Sequence, residues 1–97
     1  MKRDHPKYIR ARAACRKIMF QFPSYDSDKK EIFNPEEKLM YAIIERAILD
    51  LLHRKHNAFY ESAMTYLFDE DIKAATLCGI NSQWIQSVIV DSKMLED

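Results

Sequence analysis

The sequence predicts an all-α fold, a bundle of four to five helices that ends in a helix-turn-helix. Three observations carry this. One glycine and three prolines in 97 residues are too few turn formers for a sheet-rich chain. Ala, Leu, Ile, Met, Glu, Lys and Arg, the good helix formers, are abundant. Apolar side chains recur at helical spacing, most clearly from Met40 to Leu51. The length implies a single domain, 1–97, and a hydrophobic fraction of 47% suffices for a core.

The first helix is expected over about 6–20, with Pro6 near its first position, in a basic N-terminal segment 1–22. Ile9, Ala13 and Phe20 are its expected inner face. Pro23 and the polar run after it end the helix, and 23–33 reads as a loop, the part of the body expected to move most. The core helix is expected within 34–56. Asn34 is its N-cap, Pro35 its first residue, and Glu37 completes a capping-box pattern. Met40, Ile43, Ile44, Ala47, Ile48 and Leu51 form its apolar stripe, widened by Leu39 and Leu52. The helix-turn-helix region is 57–97. A third helix is expected over 58–68 with Phe59, Ala63, Tyr66 and Leu67 inward. An aspartate of 69–71 is the expected cap of a fourth helix reaching Cys78, and a fifth is expected over about 82–93.

The segment 71–90 fits the helix-turn-helix pattern. Gly79, the single glycine, stands at the turn, where a left-handed residue is needed. Ala75 falls where a small residue allows close crossing. Ala74, Cys78, Ile80, Ile85 and Val88 fall at the buried positions, and Asn81 and Ser82 offer N-cap oxygens. This motif places a helix in the DNA major groove. On that reading Ser82, Gln83, Gln86 and Ser87, beside Asn81, would contact bases, since Gln and Asn read adenine and Ser bonds base edges. Trp84 is either a semi-buried aromatic or an exposed interface anchor.

Charge is zero overall but uneven. Residues 1–17 hold seven basic side chains and one acid, whereas residues 58–97 hold two basic side chains and seven acids. Phosphate contacts are therefore expected from Lys7, Arg10, Arg12, Arg16 and Lys17, at the far end of the chain from the reading helix. The partner this implies is double-stranded DNA. The alternative is a non-enzymatic inhibitor that occludes a host protein or mimics nucleic acid through its acidic half. The wide stripe of the core helix also allows a homodimer.

The run Ala63, Tyr66, Leu67, Phe68, Asp69, Glu70, Asp71, followed by Ala75, Leu77, Cys78, Gly79, Ile80 and Ile85, resembles a family of small bacteriophage and prophage proteins. Ala47 to Leu51 match the helix that precedes this run in the family, so the resemblance covers about 39–90. Tyr66 stands where the family tends to have Trp, Cys78 directly precedes Gly79, and Gln86 replaces an Arg. The resemblance implies a DNA-binding or regulatory protein of a phage or mobile element, and it transfers no catalytic residue.

No enzymatic activity, cofactor or metal is expected. A single glycine cannot build a phosphate-cradling loop. His53 and His56 lack a third ligand, and they suit a helix C-terminus beside Arg54 and Lys55. Cys15 and Cys78 form no CxxC pair, which suits a reducing, cytoplasmic setting in a host cell. No apolar run approaches the ~18–20 residues of a membrane span, so no membrane partner is expected.

Overall fold

The computed structural model describes residues 6–53, 57–69 and 71–96. Five helices and one small hairpin follow in the order α1 (Pro6–Met19), β1 (Tyr25–Asp26), β2 (Glu31–Ile32), α2 (Pro35–Asp50), α3 (Ala58–Phe68), α4 (Lys73–Leu77) and α5 (Ser82–Asp91). The fold is all-α, with α2 packed by α1, α3 and α4, and α5 laid on α1 and α3.

α1 begins at Pro6, whose missing N–H is no loss in a first turn. Its inner face differs from the expected one. Ala11, Ala14, Cys15 and Ile18 are buried, at spacings of three and four, while Ile9 and Phe20 are exposed. Small residues win because they let the α1 backbone come close to its neighbours. Phe20 instead lies past the helix end, its ring 5.0 Å from that of Tyr25.

The segment 23–33 is more ordered than a loop. Tyr25 pairs with Ile32 and Asp26 with Glu31 in an antiparallel hairpin. Asp26 Oδ1 accepts from the N–H groups of Asp28 and Lys29, and Lys30 closes the turn at φ 57°. Ile32 is buried.

α2 starts as the sequence indicates. Asn34 Oδ1 accepts from Glu36 N at 2.8 Å and from Glu37 N at 3.3 Å. The reciprocal half of the capping box is redirected. Glu37 Oε1 accepts from Ser24 N, and Ser24 Oγ accepts from Asn34 N, each at 2.9 Å. The glutamate thus ties the hairpin to α2. Ile44, Ala47, Ile48 and Leu51 are buried, but Leu39 and Ile43 are exposed, so the apolar stripe is wider than the core it serves. Within the segment 34–56, α2 ends at Asp50. Leu51, Leu52 and His53 donate to the carbonyls three residues back, the tightened last turn of a terminating helix. His56 lies outside the described residues, with Arg54 and Lys55.

α3 has the expected bounds, with Ala63 and Leu67 inward. Its cap is Asn57, whose Oδ1 accepts from Phe59 N at 2.8 Å. Phe59, expected inward, is exposed and stands beside His53. No aspartate caps α4. Ile72 occupies that position, fully buried, and no side chain there makes a capping bond.

Candidate nucleic-acid interface

The α4–α5 unit is held by three local devices. The first is the turn. Gly79 N donates to Thr76 O and Ile80 N to Ala75 O, at 3.0 and 2.9 Å, the paired bonds of a Schellman motif. Gly79 has φ +78°, and a Cβ there would meet nothing within 4 Å. Glycine is needed for its backbone alone, and Gly79→Ala would cost about 1 kcal/mol or somewhat more. The second device is Ile80, buried behind the turn. The third is Ser82, whose Oγ accepts from Ile72 N at 2.8 Å and joins the start of α5 to the start of α4.

This changes the set of candidate base contacts. Ser82 is buried with its hydroxyl engaged, so it is withdrawn from the surface. Asn81 is the N-cap of α5 and accepts from Trp84 N at 3.1 Å. Gln86 is half-buried, its Nε2 donating to Leu67 O at 2.9 Å. It satisfies a carbonyl at the C-terminal end of α3 that has no partner within its own helix. Gln83 and Ser87 remain exposed and share a shallow depression with Phe68, Val90 and Asp91. Trp84 is 36% exposed, neither core nor fully free. Cys78 and Val88, expected to be buried, are half-buried.

The basic residues of α1 divide between two flanks. Arg10 Nη1 donates to the Lys93 carbonyl at 3.2 Å, just past the end of α5. Lys17 is seven residues on from Arg10, hence on the same flank, and is exposed. Arg12 points the other way. It bonds Glu45 of α2 at 3.1 Å, and Glu45 also accepts from the Tyr41 hydroxyl at 3.2 Å. Arg16, four residues from Arg12, belongs to that outer flank and is exposed. Lys7 is half-buried. The α5 side of α1 therefore offers Arg10 and Lys17, and the backbone that Arg10 bonds belongs to exposed Lys93, which sequence reasoning left out of the basic set. Its chain position, just past the end of α5, gave no sign that α1 would lie against it.

Along α5, eight residues separate Gln83 from Asp91, about 12 Å at the helical rise, and Lys93 follows past the helix end. That span is close to the ~12 Å width of a major groove. Exposed Gln83 thus stands at the start of α5, and the Arg10 contact lies just past its end. The acids Asp71, Asp91 and Glu96 are exposed in the same third of the chain.

The thiols of Cys15 and Cys78 and the Tyr41 phenol all shift upward. Burial, with Glu45 nearby, pushes the Cys15 thiol up from 9.0 to about 12, and Tyr41 is raised for the same reasons. Cys78 is raised by desolvation, then by Glu37 and Glu36. Reactive thiols are shifted in the opposite direction. Among the described residues no group of His, Cys, Asp and Glu could hold a metal ion, and no helix is long and apolar enough to cross a membrane. No protein-family model, curated protein or solved structure matches the chain.

Proposed function

We propose that this chain is a small non-enzymatic DNA-binding regulator of a phage or mobile element. The observation that carries the reading is the packing of basic α1 against α5. Arg10 bonds the backbone just past the end of α5, and this brings the cations of α1 alongside the helix that carries exposed Gln83 and Ser87. The resemblance of 39–90 to phage regulatory proteins points the same way. In the DNA-bound state Gln83 and Ser87 read base edges, while Arg10, Lys17 and Lys93 hold one phosphate strand. Arg12 has a structural task toward Glu45 instead. The neighbouring acids keep the affinity modest, because phosphate contacts supply most of it.

Fluorescence anisotropy against a pool of random duplexes tests this. Binding should weaken steeply with salt, and Arg10→Ala and Lys17→Ala should each reduce the slope of log K against log[salt] by about 1. Gln83→Ala should relax sequence preference without changing that slope. Absence of binding to any duplex at ~50 mM salt, where such contacts are strong, would overturn the reading. A second reading, occlusion of a host protein, is favoured by the α5 face, where Trp84, Val90 and Asp91 are exposed and no cation intervenes. It predicts a host protein that co-purifies with the chain and is lost on Trp84→Ala.

A further inference from the structure

A second surface lies at the C-terminal end of α4, where the helix runs into the turn. Leu77 is the most exposed large apolar side chain described, at 75%. It lines a cleft of about 250 Å³ with Met40 and Cys78, closed at one end by Asn34, Glu36 and Glu37 of the first turn of α2. Exposed apolar side chains flank it on α2. Leu39 and Ile43 are 59% and 41% exposed, four residues apart, and so stacked on one face beside Met40. These are the side chains that make the stripe of α2 wider than its core. The acids Glu36 and Glu37 line the cleft together with Cys78, whose thiol is raised by desolvation first and then by these two carboxylates. Arg46, the cation farther along α2, is paired with Asp50 at 3.3 Å.

An apolar strip of two helices with an acidic end suits one kind of occupant. We propose that the α2–α4 cleft of Met40 and Leu77, rimmed by Glu36 and Glu37 and flanked on α2 by exposed Leu39 and Ile43, docks a basic amphipathic helix of a partner protein. The apolar face of such a helix covers Ile43 and Leu77, and its Lys or Arg side chains meet Glu36 and Glu37. This is the helix-in-groove mode, in which spaced apolar anchors give affinity and charge sets choice of partner. The surface uses none of Arg10, Lys17, Gln83 or Ser87. It stands whether or not the chain binds DNA, and it gives a DNA-bound regulator a place to hold a second protein.

Display selection of a random helical peptide library on the full chain tests the proposal. The expected survivors are net basic, with apolar residues at helical spacing. Their affinity should fall about tenfold or more with Leu77→Ser or Ile43→Ser, the scale of a buried anchor. It should also fall with Glu36→Lys, and it should not change with Phe59→Ser, an exposed aromatic on α3. Leu77 and Ile43 are exposed enough for these variants to fold, which circular dichroism would show. Leu77→Ser should leave the salt slope of DNA binding unchanged. Acidic survivors, or survivors indifferent to Leu77→Ser, would overturn the proposal. So would a dimer in sedimentation that Leu77→Ser dissolves, which would assign the face to a second copy. Displacement of the peptides by duplex DNA would overturn it as well.

Discussion

α1 and α5 lie against each other but are built on opposite plans. α1 carries five cations and buries Ala11, Ala14 and Cys15, with Ile18 as its one large inner residue. α5 carries no Lys or Arg and buries Ile85 and Ile89, with glutamine and serine outside. The first helix docks by close approach of small residues, the second by filling volume. Their outer faces differ as well, one lined with cations, the other with glutamine, serine and a single acid, Asp91. The proposed DNA contact would draw on both. The Arg10 bond to the Lys93 carbonyl joins the two halves.

The contrast in docking can be broken by substitution. Ile85→Ala should destabilise by about 2–5 kcal/mol in denaturant titration, because it removes transfer energy and leaves a cavity. Ala14→Leu should cost about 1–3 kcal/mol by the opposite fault, overpacking. An Ile85→Ala loss below ~1 kcal/mol would show that α5 is not held by volume.

Alkaline pH sharpens the account of α1. The thiol of Cys15 is raised in the fold from 9.0 to about 12, beside Glu45, Tyr41 and Arg12. A group whose folded pKa is raised holds its proton more firmly in the folded state. Its contribution is complete below about pH 9 and is lost as pH rises toward 12, by at most about 4 kcal/mol. Tyr41 shifts in the same direction. Urea midpoints across this range should fall steadily for the wild-type chain and less steeply for Cys15→Ala.

The smallest effect separates two serines of α5. Ser82→Ala leaves the buried Ile72 N–H without its acceptor and should cost about 1–3 kcal/mol. Ser87→Ala, at the surface, should stay within about 0.5 kcal/mol in stability. Only Ser87→Ala should then alter duplex preference in a chain that remains fully folded.

Local chemistry was legible wherever a motif is closed within a few residues. Asn34 and Pro35 mark a helix start because their oxygen and ring act on the next turn alone. Gly79 marks the α4–α5 turn because only glycine adopts φ +78° without strain. Ser82 also had a signal, since it stands three residues before buried Ile85 and so shares its face. The helix-turn-helix pattern by itself does not weigh that spacing, and so it offers Ser82 as a base contact.

By itself, then, the sequence determined an all-α chain, most helix boundaries, and a glycine-hinged pair of helices near the end. Tertiary structure decided which sides of those helices are available. Ile9, Phe20, Leu39, Ile43 and Phe59 match apolar spacing but stay exposed, because a domain this small has fewer inward positions than apolar side chains. Glu37 went to Ser24, Gln86 to Leu67 and Arg12 to Glu45, each a partner far along the chain. Periodicity describes a helix against an unspecified neighbour. Only the packed neighbour determines whether a polar side chain satisfies the fold or is left for a ligand.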